Sequence, residues 1–262
     1  MRSGKLVAAF AVLLVVSFAV MNAMPSDTLP AALLQETVLA LVAFAAVGFA
    51  IPDALKCCTK SVQQRNTVRF TATALLLAGL VGGAITLLAW LFASGGTMAC
   101  FASTALSSTA DLMENLLLLL GICLLTGLYE ESFMRALGIE AFERALDTKR
   151  AILASAALFA LLHVGAPDVS AGQLVLLQTA LKFGQALLFG VILGALYVRT
   201  RRLWPCAFIH AGFDVLYMAP NVLLTGTMPE TYASGAVGDT VLLAVSVLML
   251  SGIVLKIRKE IA

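Results

Sequence analysis

Residues 112–135 read LMENLLLLLGICLLTGLYEESFMR. From Leu116 to Tyr129 no charged residue interrupts the run. A bilayer core takes about 20 predominantly apolar residues of α-helix, and 112–134 reaches that length with Glu114 and Asn115 near its start. It then ends abruptly in Glu130, Glu131 and Arg135. The apolar residues form a continuous run, not one face of an alternating pattern, so the segment reads as a transmembrane helix.

The same kind of run recurs along the chain. Eight spans are expected, over 6–24, 33–51, 71–93, 112–134, 150–166, 172–198, 203–220 and 239–256. Composition agrees: of 262 residues, 61% are hydrophobic and 12% charged, about half the charge of a soluble domain. Mean hydropathy is +0.98. A soluble globular domain and a disordered chain are both excluded. The expected architecture is an all-α polytopic membrane helix bundle, one membrane-embedded domain over 1–262 with its core at about 110–220.

Basic residues set the orientation. Arg2 and Lys5, then Lys56, Lys60, Arg65 and Arg69, then Arg135, Arg144, Lys149 and Arg150, then Arg199, Arg201 and Arg202, and finally Lys256, Arg258 and Lys259 fall at alternate span ends. Only Lys182 of the seventeen is left inside a span. The opposite loops carry Asp27, Asp111, Asp168, Glu230 and Asp239. Both termini are therefore expected in the cytoplasm. The first span also has the charged start and apolar run of a signal peptide, but it is long for one and no clear A-x-A site follows.

Net charge is +2, and no Lys/Arg tract of nucleic-acid type, glycine-rich phosphate loop or internal repeat is present. Nucleic acid is not an expected partner. Of the five cysteines, Cys123 and Cys206 lie in apolar runs and Cys57 and Cys58 in a basic loop. Only Cys100 falls in an outer loop, so no disulfide is expected.

Ionisable side chains inside spans are expensive and point to function. Here they are Glu130, Glu131, Arg135, His163, Lys182, His210 and Asp214. The chain has two histidines, and both are in spans. Glu131 and Arg135 are one helical turn apart and can pair. Glu130 points about 100° away and stays free. His210 and Asp214 are also i and i+4, so Asp214 can orient the imidazole. Singly, each feature also fits a solvated helix end, a packed core histidine or a polar helix-packing pair.

Taken together, Glu130-Glu131-x-x-x-Arg135, Phe159-x-x-x-His163 and His210-x-x-x-Asp214 lie in order on three spans. This set resembles the CPBP (CAAX protease and bacteriocin-processing, or Abi) family of intramembrane proteases, whose patterns are EExxxR, FxxxH and HxxxN or HxxxD. The resemblance covers roughly 110–220. It implies a glutamic-type endopeptidase in which Glu130 and His163 activate water. His210 and the residue at 214 stabilise the oxyanion, with Glu131, Arg135 and Phe159 in support. The family includes type II CAAX prenyl proteases with eight transmembrane helices. Asp214 stands where Asn is commoner. Ionised Asp cannot donate a hydrogen bond, so either Asp214 carries a proton or it serves only to orient His210.

No cofactor is expected. Zinc on Glu130, His163 and His210 is the lesser alternative, because the ligand types permit it. The expected partners are a peptide or membrane-protein substrate and the lipid bilayer, in a prokaryotic plasma membrane. A non-catalytic peptide-binding or bacteriocin-immunity protein is the second reading. A small transporter is the third, and it lacks the repeats and broken helices expected there.

Two further expectations come from span six. Lys182 lies between Gln178 and Gln185 in a polar stripe and would pair with an acid, Asp214 or Glu131. Gly190-x-x-x-Gly194 and, on span three, Gly79-x-x-x-Gly83 permit close helix approach. Depth poses a conflict: Glu130 sits nearer the inner boundary than either histidine. The three meet only if helix four continues past Arg135 or helix five begins outside the bilayer.

Overall fold

The computed structural model describes residues 2–24, 26–56, 61–93, 109–164, 170, 172–228 and 233–261. Among them no strand occurs, and the long elements are all helices. They are α1 (Arg2–Ala23), α2 (Leu29–Ala50), α3 (Val62–Ala93), α4 (Thr109–Glu131), α5 (Thr148–Val164), α6 (Gln173–Thr200), α7 (Leu203–Thr225) and α8 (Val237–Ile261). Each falls on one of the expected apolar runs. The chain is an all-helical integral membrane protein.

Seven of these helices are long and apolar enough to cross a bilayer, by length and composition. The exception is α5, with 17 residues. At 1.5 Å per residue it reaches about 26 Å, a little under the hydrocarbon thickness of about 30 Å. Residues 165 and 166 of the expected fifth span lie outside the described residues, as do Cys57, Cys58 and Cys100. Phe18, Leu41, Phe49 and Leu248 are exposed on the outside of the bundle, which suits a lipid-facing surface.

Local chemistry sets several helix starts. Thr28 caps α2 through its side chain, with Pro30 in the first turn, where its missing N–H costs nothing. Ser61 and Gln64 cap each other reciprocally before α3, the capping-box arrangement. Asp147 accepts from the Arg150 amide at the start of α5. The helix pairs α4–α7, α5–α6, α3–α7, α2–α4 and α6–α8 pack most extensively.

Glycines make the closest approaches. A Cβ at Gly83 of α3 would lie 2.2 Å from the Leu216 carbonyl oxygen of α7, and one at Gly79 would lie 2.8 Å from that of Phe213. Gly190 meets Ala156 of α5 in the same way. Both glycine pairs are thus packing positions, as their spacing predicts.

Helix α4 does not stop at Glu131. It continues through a π-helical segment, Ser132–Ile139, and a last α turn, Glu140–Phe142. All eight residues of the π-helical segment are buried. π-Segments misalign the i→i+4 ladder, and Ser155 of α5 donates to the Met134 carbonyl at 2.6 Å. Phe10 of α1 packs against Phe133 and Phe142. This continuation resolves the depth conflict: Glu130 stands well above the end of its helix and so reaches the level of the histidines.

The basic loops gather at one end. Arg201 ion-pairs Glu140 and Glu143 at 2.8 and 2.7 Å. Gln64 donates to the Arg199 carbonyl, Trp204 to that of Leu55 and Arg202 to that of Asp53. Arg201 itself is left-handed at φ 50° and makes the tight turn from α6 to α7.

Candidate active site

Four helices converge on one cluster. Glu130 and Glu131 come from α4, Phe159 and His163 from α5, Phe189 from α6, and His210 and Asp214 from α7. The close fit of α4 on α7 fixes their separation. A Cβ at Gly127 would lie 2.6 Å from the Ala207 carbonyl oxygen, so the backbones touch one turn before both Glu131 and His210.

Glu131 and Arg135 pair at 3.0 Å with both side chains fully buried. The guanidinium lies over the Phe159 ring, 4.6 Å from its centroid. The other Glu131 oxygen lies 2.8 Å from His210 Nδ1. A carboxylate can only accept, so this ring nitrogen donates. Sequence reasoning gave the task of orienting His210 to Asp214. The nearer partner is Glu131, with Asp214 at 3.3 Å from Nε2.

His210 Nε2 also faces Glu130 Oε2 at 3.5 Å. With the Nδ1 proton committed to Glu131, a further proton must sit on Nε2 or on one of the two carboxyls that face it, or lone pairs would oppose each other. Phe189 meets the His210 ring edge-on at 4.8 Å and Phe213 packs behind Phe189. Sequence reasoning passed over both, because aromatic residues in an apolar run carry no distinguishing signal.

His163 lies across from Glu130, its Nε2 3.9 Å from Oε1. Its Nδ1 lies 2.9 Å from the Phe159 carbonyl, which can only accept, so Nδ1 donates. In the neutral ring that leaves Nε2 as an acceptor, facing Glu130 across a gap. Phe159 packs against the same ring, its centroid 4.2 Å away and its plane tilted by 47°. The spacing of Phe159 and His163 thus fixes both the tautomer and the ring plane.

Exposure divides the cluster. His163 and Glu130 keep 27% and 19% of their side chains open, whereas His210 keeps 4% and Glu131 none. Glu130 and His163 thus form the accessible side of the cluster, and Glu131 and His210 its buried side.

Lys182 does not pair with Asp214 or Glu131. Its ammonium contacts Gln185 at 3.1 Å, because Glu131 is already held by Arg135 and His210 and Asp214 turns toward His210. Gln178, the first member of the stripe, instead holds Ala236, Thr240 and Gly235 before α8.

One acid was missed. Glu36 of α2 lies beside Thr126 of α4 and within electrostatic reach of Asp214 and His210. Its signal was present: a carboxylate three residues into an apolar run. No group of three or more His, Cys, Asp or Glu among the described residues is arranged to hold a metal ion. Cys123 and Cys206 are buried and free.

The helical membrane bundle thus gathers two glutamates and two histidines from three helices around a partly open face. Residues 112–216 match the family of Rce1-like type II CAAX prenyl endopeptidases. The matched stretch carries Glu130, Glu131, Arg135, Phe159, His163, His210 and Asp214, so the likeness to CAAX-type membrane proteases rests on the same residues as the motifs. No curated protein matches the chain.

Proposed function

We propose that the protein is a glutamic-type intramembrane endopeptidase and that Glu130 and His163 activate its water. The observation that carries this reading is the 3.9 Å gap between Glu130 Oε1 and His163 Nε2, with His210 3.5 Å from the same carboxylate. Two acceptors at that separation fit one water at about 2.8 Å from each. Its two protons then point at Glu130 and His163, and its lone pairs face outward.

In the reaction the water oxygen attacks the scissile carbonyl carbon while Glu130 takes its proton as general base. The carbonyl becomes an oxyanion, and His210, with a proton on Nε2, donates to it. The C–N bond then breaks, and Glu130 returns the proton to the leaving amine. Glu131 and Arg135 hold His210 in place. The substrate class follows the family: a peptide whose prenylated cysteine is the fourth residue from its C-terminus.

The test is cleavage of an internally quenched, S-farnesylated peptide of that form in proteoliposomes. Glu130→Gln is expected to lower kcat by about 1,000-fold or more, since general-base loss alone accounts for 100- to 10,000-fold. Retained activity overturns the reading. The reaction as written uses no metal. Stoichiometric zinc by metal analysis, with activity lost to a chelator and restored by zinc, overturns that part.

For topology, all eight helices cross the bilayer in this reading, α5 included. Both termini then share the side that carries the basic loops, which the positive-inside bias makes cytoplasmic. The short loops suit a prokaryotic plasma membrane. Labelling of single cysteines placed at residues 4 and 256 by an impermeant reagent, in intact cells and after lysis, checks this. Labelling of either before lysis contradicts it. The family match names a peptidase, and no observation speaks separately for an immunity protein.

A further inference from the structure

Lys182 stands about 14 Å along α6 from the helix start at Gln173. Seven residues on and on the same face is Phe189, whose ring meets His210. Glu130, Asp214 and His163 all lie within electrostatic reach of Lys182. Lys182, Gln185 and Phe189 share one face of α6, and that face meets Tyr217 and His210 of α7, so the lysine lies on the side of α6 turned toward the cluster.

An ammonium at that depth needs a counter-charge from the protein or from a ligand. The resident carboxylates are directed elsewhere. Glu131 holds Arg135 and His210, and Glu130 and Asp214 turn to His210. Among the described residues none comes within ion-pair distance of Lys182, and its hydrogen-bond partner is the Gln185 side-chain oxygen at 3.1 Å. The Gln185 amide is locked in turn by donating to the Tyr217 hydroxyl at 3.2 Å, which keeps its oxygen toward Lys182. One of the three ammonium protons is thus directed by the protein, leaving the others for a guest.

We propose that Lys182 binds a carboxylate of the peptide substrate and thereby selects the bond presented to Glu130. The carboxylate is either the α-carboxylate of a free C-terminus or an acidic side chain close to the scissile bond. This rests on the peptidase reading for its consequence, but the binding step can be measured without cleavage.

The experiment measures binding of fluorescent S-farnesylated peptides to the full-length Glu130→Gln protein in nanodiscs. One peptide ends in a free carboxylate, a second is its C-terminal amide, and a third is the amide with glutamate at the last position. The free acid is expected to bind at least about 10-fold tighter than the neutral amide. That preference is expected to vanish in Glu130→Gln/Lys182→Met and to persist in Glu130→Gln/Lys182→Arg. Truncating one partner of a buried charge pair has effects of this size or larger.

If the glutamate amide binds as tightly as the free acid, the recognised group is any nearby carboxylate. If only the free acid does, it is the C-terminus. Equal binding of all three peptides overturns the proposal. So does a Lys182→Met loss that is the same for acid and amide, because that marks a merely structural lysine. Lys182→Gln serves as the neutral variant if the methionine protein does not fold. Failure of cleavage by the unmutated protein, with carboxylate-dependent binding intact, counts against the peptidase reading and not against Lys182.

Discussion

His210 Nδ1 and Glu131 Oε1 lie 2.8 Å apart across the α4–α7 contact. The second oxygen of the same carboxylate holds Arg135. One fully buried acid thus joins a cation on its own helix to a histidine on another. Its adjacent neighbour, Glu130, is left open on the far side of the imidazole. Because the two glutamates point about 100° apart on the helix, the proposed mechanism makes Glu131 the framework acid and Glu130 the reacting one.

Glu131→Gln tests that division. It leaves Arg135 buried without its counter-charge, a change that costs about 3–5 kcal/mol. It also changes the acceptor for His210. The expected outcome is loss of both activity and thermal stability, measured by fluorescence-detected unfolding in detergent. Glu130→Gln, by contrast, is expected to lose activity with little change in unfolding temperature. Equal stability losses in the two variants would argue against the division.

At position 214 the expected order is Asp214→Asn active, Asp214→Leu inactive. Asparagine keeps an oxygen near His210 Nε2, now 3.3 Å from the carboxylate, and adds a donor toward the oxyanion. Leucine offers neither. Initial rates on the quenched peptide decide it, and an inactive Asn variant would mean that the carboxylate charge itself is needed.

The α4–α7 approach makes its own prediction. Gly127→Val puts side-chain atoms where the Ala207 carbonyl now sits, since even a Cβ would come to 2.6 Å. The helices must part, and Glu131 and His210 part with them. Overpacking of this kind costs about 1–3 kcal/mol, and a displacement of about 1 Å at a reacting centre costs about 100-fold in rate. The variant should therefore lose far more activity than stability. Proportionate losses would place the defect in folding alone.

At the basic end, Arg201 beside Glu143 holds that carboxyl below its usual range, with a hydrogen bond from Thr148 adding to the effect. A depressed acid contributes stability above its unfolded pKa, and the contribution is lost as pH falls through the lower, folded value. Unfolding temperature should thus fall more steeply below about pH 4.3, the ordinary glutamate value, in the unmutated protein than in Glu143→Gln. Near pH 7 the variant should be the less stable of the two, by about 1 kcal/mol at this partly exposed position. Superimposable pH profiles would show that the contact contributes nothing.

Eight helices were legible as apolar runs, and Glu130, Glu131, Arg135, Phe159, His163, His210 and Asp214 stood out within or at the ends of those runs. Hydrocarbon accepts only long apolar runs as spans, and it makes each polar intruder conspicuous. Spacing within one helix was legible for the same reason: Glu131 with Arg135, and Phe159 with His163, are fixed by helical geometry alone. Which residues meet across helices was not legible, because it depends on depth and rotation that no single run encodes. The π-helical continuation of α4 raised Glu130 to the histidines. The glycine contact at Gly127 gave His210 to Glu131 as well as to Asp214. The prior claims on Glu131 and Asp214 left Lys182 facing Gln185. Glu36 stood in plain sight as an acid in an apolar run, but only packing against Thr126 brought it to the edge of the site. Tertiary structure decided these partnerships because a buried charge takes the partner that geometry brings nearest, whatever the spacing along the chain.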